Sequence, residues 1–125
     1  VSDPAMLQAA IDTLGKLDYR TRIEASATVS RAPAAVVVPM LVKAAQGHAD
    51  GYVRFRALVL LSGFNDPKTT PVFVAALDDE NDRLREVAYA YVEDHPQPAL
   101  VPKLLQALER EQAEFVRPAL IRALA

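Results

Sequence analysis

An arginine returns four times at nearly constant spacing, and this regularity limits the possible folds more than any other feature of the chain. Successive copies are 32, 31 and 32 residues apart. Apolar residues accompany them at position −1 in three copies and at +3 and +7 in all four, and these positions share one face of an α-helix. A face that recurs with this period predicts helix pairs, each packed on the next. The four arginines are Arg22, Arg54, Arg85 and Arg117.

The apolar pattern between the turn-forming residues predicts eight helices. Asp3-Pro4 and Asp66-Pro67 each offer an N-cap acceptor followed by proline, which is a common way to begin a helix. No stretch alternates strictly between apolar and polar residues, as a half-buried strand would. We therefore expect an all-α fold. The predicted helices cover residues 4–14, 19–31, 34–46, 52–63, 67–77, 83–94, 100–110 and 115–124.

Proline also recurs in the first helix of three pairs. Pro39, Pro71 and Pro102 are 32 and 31 residues apart. A proline inside a helix removes a hydrogen bond and bends the axis. The sequence therefore predicts the same bend in three helices, and with it a curved stack.

One repeat carries a family resemblance. Pro71, Asp79 and Arg85, spaced by 8 and 6 residues, together with Leu84 and Ala88, resemble a HEAT repeat in its short bacterial form. The resemblance implies an all-α, α-solenoid architecture of about four antiparallel helix pairs, in one domain spanning 1–125. The four repeats cover about 3–31, 33–63, 66–94 and 97–125.

The same resemblance implies a ladder of polar contacts along the stack. In HEAT repeats the arginine and the acidic residue six positions earlier form such a ladder from repeat to repeat, so Asp79 and Glu111 are expected to form it with Arg85 and Arg117. The ladder is expected in the second half of the chain only, because the first two repeats lack the acid. Their residues at this position are Lys16 and His48.

Composition bounds the function classes. The net charge of −2, from 14 basic and 16 acidic residues, gives no field for general binding to nucleic acid or to a membrane surface. Cysteine is absent, and the apolar runs are too short to span a bilayer. The chain lacks an initiator methionine and a visible signal peptide, and it stops within a helical pattern. We therefore expect a soluble fragment of a longer chain, with its compartment open.

Candidate chemical sites are few. His48 and His95 are isolated from each other and from a matched set of carboxylates, so both are interpreted as surface residues and not as metal ligands. The carboxylates of the turn 78–82 are interpreted as helix caps, with a calcium site as the alternative. The serines have no neighbouring histidine or glycine-rich turn. The sequence therefore predicts neither an enzyme nor a cofactor.

The outward positions of the second helices form the candidate binding surface. Positions +1 and +5 from each repeat arginine point away from the predicted core. Phe55 and Val59 are more apolar than an exposed position requires, and Tyr89 is close by at +4. Either this surface binds a partner, or helix 52–63 is covered by another part of a longer chain. The predicted partner-binding residues are Ile23, Phe55, Val59, Glu86, Tyr89 and Arg122.

The function predicted from these observations is a non-catalytic interaction or scaffold module that presents a concave helical surface to a protein or peptide. The alternative is an accessory domain of a larger enzyme, such as a lyase or hydrolase, whose catalytic residues lie elsewhere. Nucleic acid is not expected as a partner, because acidic residues are interspersed among the arginines and tryptophan is absent. A membrane is not expected either, and the oligomeric state stays open.

Overall fold

The computed structural model describes residues 3–16, 18–112 and 116–125. Within these ranges the chain forms α-helices joined by turns and contains no strand, so the predicted all-α fold is confirmed. Two short 3-10 turns, Pro67–Thr69 and Pro98–Leu100, precede the fifth and seventh α-helices. The α-helices are α1 (Pro4–Thr13), α2 (Tyr19–Arg31), α3 (Ala34–Gly47), α4 (Gly51–Ser62), α5 (Thr70–Ala76), α6 (Asp82–Asp94), α7 (Val101–Arg110) and α8 (Arg117–Leu124).

Polar side chains begin several helices. The Asp3 carboxylate accepts a hydrogen bond from the Ala5 amide at 3.0 Å, and so starts α1 where the sequence predicts. Asp50 does the same for α4. The helix α2 covers its predicted range, and α1, α3, α6, α7 and α8 each share one bound with the prediction. The remaining bounds differ by one to three residues. Phe115, predicted to begin the eighth helix, lies outside the described residues.

The recurring prolines do not all lie inside helices. Pro39 does, within α3. Pro71 and Pro102 instead occupy the second residue of α5 and α7, directly after the two 3-10 turns. The prediction of a mid-helix proline is therefore wrong for these two. The first amide groups of a helix have no partner inside it, so a proline there gives up no hydrogen bond.

The chain divides into two compact units, Val1–Val72 and Phe73–Ala125, with the boundary inside α5. In unit 1, α1 packs on α2, α3 and α4, and α3 packs on α4. In unit 2, α8 packs on α6 and α7. None of the helices in the described part of the chain combines the length and the apolar character needed to cross a bilayer.

The positions counted from the repeat arginines agree well with the residues that are buried. Of the twelve residues at positions −1, +3 and +7, ten are buried. Only Thr21 and Leu124 are partly exposed. The predicted inward face of the second helices is therefore confirmed. Its buried members are Ala25, Val29, Val53, Ala57, Leu61, Leu84, Ala88, Val92, Val116 and Leu120.

A glycine lets two turns approach each other in unit 1. A Cβ atom on Gly15 would collide with the Asp50 carboxylate and would lie 2.9 Å from Cγ2 of the buried Val53. The φ angle of Gly15 is not positive, so its lack of a side chain matters here and its backbone freedom does not. Gly15 therefore allows the turn after α1 to lie directly against the start of α4.

Candidate functional site

The repeat arginines hold the turn between the two helices of a pair. In repeat 3, Arg85 Nη1 donates to the carbonyl oxygen of Asp79, six residues earlier, at 2.9 Å. Arg54 contacts a carbonyl nine residues earlier, that of Ala45, at 3.2 Å. The contact that Arg85 makes with the carbonyl oxygen six residues earlier recurs in two other repeats. Nη1 of Arg22 donates to the carbonyl oxygen of Lys16 at 2.8 Å, and Nη1 of Arg117 donates to that of Glu111 at 3.1 Å.

The predicted ladder exists as a contact between successive repeats. Arg85 donates through Nε and Nη2 to the two carboxylate oxygens of Glu111, at 2.9 and 2.8 Å. Tyr89 donates its hydroxyl to Glu111 Oε1 at 2.8 Å. The Glu111 side chain is only 1% exposed, so three hydrogen bonds replace its lost hydration.

This network changes the titration of its members. The hydrogen bonds from Arg85 to Glu111 raise the pKa of the Arg85 guanidinium above its ordinary value. Burial, followed by the hydrogen bond to Glu111, raises the pKa of the Tyr89 phenol to about 12. Tyr89 is 1% exposed, so its predicted place on the binding surface is wrong. It belongs to the junction between repeats 3 and 4.

The acidic turn before α6 has structural contacts. The Asp79 carboxylate accepts from the Asn81 amide at 2.9 Å, and Asn81 is itself the N-cap of α6. Asp78 lies 2.6 Å from Lys103 Nζ. Among the residues that the structure describes, no three His, Asp or Glu side chains are grouped closely enough to hold a metal ion. The side chain that caps α6 is therefore that of Asn81 and not one of the four carboxylates interpreted as its caps, although Asp82 lies in the first turn of the helix.

The second helices of unit 1 carry a row of aromatic rings and guanidinium groups, which we call the aromatic–arginine row: Tyr19, Arg22, Tyr52, Phe55 and Arg56. The Arg22 guanidinium lies over both tyrosine rings, 5.7 and 5.9 Å from their centroids, and thereby links α2 to α4. The Tyr52 and Phe55 rings meet edge to face at 5.6 Å. Arg56 lies over Phe55 at 5.8 Å. The row therefore joins both helices in one surface feature.

The predicted outward residues of unit 1 lie at or beside this row. Ile23 is 49% exposed, whereas Phe55 and Val59 are half-buried. The helices α2 and α4 contain five arginines and a single acidic residue, Glu24, which gives them a joint charge of +4. These two helices are therefore basic and carry apolar and aromatic groups beside their arginines, although the whole chain is weakly acidic.

The predicted outward residues of unit 2 form a polar surface. Glu86 is partly exposed, and Arg122 is exposed with its Nε 3.2 Å from the Glu93 carboxylate. Both charges of that pair are accessible to water, so the pair contributes little to stability. Glu86 and Arg122 lie on a different unit from Ile23, Phe55 and Val59.

Both histidines have structural contacts. His48 Nδ1 accepts a hydrogen bond from the Asp50 amide at 3.0 Å, so the proton of the neutral ring is on Nε2. Nε2 donates this proton to Oδ1 of Asp12 at 2.8 Å. This hydrogen bond lowers the pKa of the Asp12 carboxyl. His95 stacks on Tyr91 at 4.2 Å, and Tyr91 stacks on Phe73 at 3.9 Å. The contact of His48 with Asp12, 36 residues away, has no signature in the sequence.

A family model described as HEAT repeats matches residues 38–125, which is more than half of the chain. The match begins inside α3, so it covers most of repeat 2 and all of repeats 3 and 4. No curated protein and no solved structure matches the chain.

Proposed function

Because the chain belongs to the HEAT-repeat family, whose fold is the all-α solenoid, we propose that it is a protein-binding module whose aromatic–arginine row receives an acidic segment of a partner. HEAT repeats generally mediate protein–protein interaction or scaffolding, and they are typically not catalytic. The observation that carries the proposal is the continuous row of rings and guanidinium groups across α2 and α4.

The chemistry of the row suits a segment that contains both carboxylates and apolar side chains. Guanidinium groups pair with carboxylates through two parallel hydrogen bonds, and aromatic rings give a large contact area. Ile23 adds an exposed apolar side chain on the same helix as Tyr19 and Arg22. Aromatic residues and arginine are also the side chains that most often dominate binding energy in protein interfaces.

Two physical properties favour binding at this surface. The charge of +4 on α2 and α4 attracts an acidic segment and increases its rate of association. The residues of the row stand on helices that pack against each other in unit 1, so little conformational entropy is lost when a partner binds. The affinity should therefore fall as the salt concentration rises, and part of it should remain at high salt because of the apolar contacts.

A selection of displayed random peptides on the immobilised protein tests the proposal. We expect the selected peptides to combine Asp or Glu with aromatic or branched aliphatic residues. The double substitution Ile23→Glu/Phe55→Glu should weaken their binding at least tenfold, which is more than about 1.4 kcal/mol. Met6→Glu is the matched control, because Met6 is 42% exposed on α1, a first helix of the same unit.

Three results would contradict the proposal. One is a selection without enrichment, and another is enrichment of basic peptides. The third is equal binding to the wild-type protein and to a double variant that retains its helical circular dichroism.

A further inference from the structure

A groove in unit 1 takes no part in the surface of the proposed function. Residues of α3 and of the segment 66–69 form it, and its volume is about 460 Å³. This volume is within the range of sites that bind small molecules, about 300–1,000 Å³. All of its lining residues belong to unit 1, and none of them belongs to the aromatic–arginine row.

The wall that α3 gives to the groove is apolar. Val38, Pro39 and Val42 line it, and Val38 is only 7% exposed, so the wall continues into the core of unit 1. Ala35 lines the groove as well, and its side chain is too small to fill it. A wall of this kind favours the binding of an aliphatic or aromatic side chain.

Pro39 also leaves a hydrogen-bond acceptor in this wall. It lies inside α3 and has no N–H group, so the carbonyl oxygen of Ala35, four residues earlier, does not receive the hydrogen bond of a regular helix. Ala35 is exposed. Its carbonyl oxygen can therefore accept a hydrogen bond from a bound molecule.

Two opposite charges line the other side of the groove and do not neutralise each other. Asp66 and Lys68 are two residues apart, and Oδ1 of Asp66 accepts from the main-chain amide of Lys68 at 2.9 Å. Their side chains form no ion pair with each other, or with another charged side chain in the part of the chain that the structure describes. The groove therefore offers a ligand one cation and one anion.

We propose that this groove binds a free apolar α-amino acid. The ammonium of Lys68 pairs with the carboxylate of the ligand. The Asp66 carboxylate and the Ala35 carbonyl oxygen accept from its ammonium group. Its side chain lies against the apolar wall of α3. An α-amino acid carries both charges and an apolar group on one carbon atom, and so it matches each feature of the groove.

The two charges disfavour simpler ligands. A carboxylic acid without an amino group would pair with Lys68 but would be repelled by Asp66, and an amine without a carboxylate would be repelled by Lys68. A short apolar peptide carries the same groups on different residues, so its two charges are further apart. A direct comparison of these ligands therefore tests the proposal.

The first experiment titrates the full wild-type chain with L-leucine and L-phenylalanine, and follows binding by nitrogen–proton correlation NMR. We expect saturable shifts in the amide signals of residues 34–42 and 66–69. Leucinamide and N-acetyl-leucine, which each lack one of the two charges, should bind at least tenfold more weakly. This comparison does not depend on the folding of any variant.

The second experiment uses variants. Lys68→Gln and Asp66→Asn each remove one charge, and the asparagine keeps an oxygen that can cap the turn. Ala35→Leu fills the groove from an exposed position. Each should weaken the binding of leucine at least tenfold. Lys43→Gln is the matched control, because Lys43 is also exposed on α3 and does not line the groove.

The aromatic-row variant Phe55→Glu should bind leucine normally, so a failure of the proposed function would leave this result unchanged. The inference is overturned if neither amino acid gives saturable shifts at the groove, or if Lys68→Gln and Lys43→Gln have equal effects. Equal binding of leucine and N-acetyl-leucine would also overturn it, because Asp66 would then have no part. Tighter binding of leucyl-leucine than of leucine would assign the groove to a short peptide and overturn the assignment to a free amino acid.

Discussion

Arg85 holds the carboxylate of Glu111 through two parallel hydrogen bonds, although the two residues are 26 positions apart and belong to different repeats. The carboxylate is 1% exposed and the guanidinium 20%. The contact joins the residue that caps the end of α7 to α6, and so links repeat 4 to repeat 3. The pair therefore makes one clear prediction about stability.

Replacement of one member should destabilise unit 2. Glu111→Gln removes the charge that Arg85 needs and leaves a poorer acceptor for the Tyr89 hydroxyl. We expect a loss of about 3 kcal/mol in the free energy of unfolding. Urea denaturation followed by circular dichroism measures this loss.

A double-mutant cycle with Arg85→Gln serves as the control. If the two side chains contact each other directly, the double variant should lose less free energy of unfolding than the two single variants lose together. We expect this difference to be at least about 1 kcal/mol. Strictly additive losses would contradict a direct contact between the two side chains.

Tyr89 predicts sensitivity to alkali. The pKa of its phenol is raised from 10.0 to about 12 in the folded chain. Above pH 10 the unfolded state loses this proton, whereas the native state retains it. The contribution of the Tyr89 phenol to the free energy of unfolding is therefore fully present below pH 10 and decreases as the pH rises towards 12. The decrease in this window should be about 1.4 kcal/mol per pH unit. Urea denaturation at a series of alkaline pH values measures it.

The variant Tyr89→Phe isolates this effect. It should be less stable than the wild type at neutral pH by about 1 kcal/mol, because Glu111 loses a hydrogen bond. The difference should shrink and reverse as the pH rises through the window. A constant difference at every pH would show that Tyr89 does not cause the alkaline loss.

Two glycines should respond to alanine in opposite directions. Gly15→Ala places a Cβ against the Asp50 carboxylate and Val53, and should cost about 1–3 kcal/mol. Gly47→Ala, at the end of α3, meets nothing within 4 Å and should stabilise the chain by about 0.5 kcal/mol. Thermal unfolding distinguishes the two. Equal effects would show that the close approach at Gly15 is unimportant.

Charge should be tolerated on the outward face and not on the inward one. Leu84→Asp puts an unpaired carboxylate at a position that is 1% exposed, and should unfold unit 2 at a cost above about 4 kcal/mol. Phe55→Glu, at a half-buried outward position, should keep its helicity and lose at most about 1 kcal/mol. Far-ultraviolet circular dichroism and thermal melting provide the readout. A large loss on Phe55→Glu would place Phe55 in the core.

The helices and the inward face were predictable because each depends on local information. Asp3 and Pro4 mark the start of α1, because the Asp3 carboxylate caps the amide of Ala5, only two residues later. The burial of Leu84 and Ala88 follows from their spacing on one helix face, which the period of the repeat reinforces. Helix starts and apolar spacing can be recognised in a single repeat, and their recurrence in the other repeats strengthens the prediction.

The junction of repeats 3 and 4 was only partly predictable. The importance of Glu111 followed from the family resemblance, but its partner is the arginine of the preceding repeat. Tyr89, at +4, lies at the edge of the inward face, and its burial depends on a neighbouring repeat. The equivalent residues Leu58 and Ile121 are also apolar, whereas repeat 1 has Ser26, so the apolar recurrence in three of four repeats was a partial signal of an inward role.

Contacts between distant turns were not predictable. The first predicted helix ends directly before Gly15, and the close approach of Gly15 to Asp50 depends on how α1 and α4 pack. The regular spacing of Pro71 and Pro102 did not predict their place within a helix. Spacing alone does not show that α5 and α7 each begin one residue before the proline.

The arginine contacts with main-chain carbonyls have a consequence for how such a chain tolerates change. Three arginines fasten the turn of their repeat through an oxygen that every amino acid possesses, so the turn does not depend on which side chain stands there. Lysine, aspartate and glutamate occupy this place in Lys16, Asp79 and Glu111, and the turn closes in all three. The side chain at this position is therefore not needed to close the turn, and that of Glu111 instead holds the arginine of the preceding repeat.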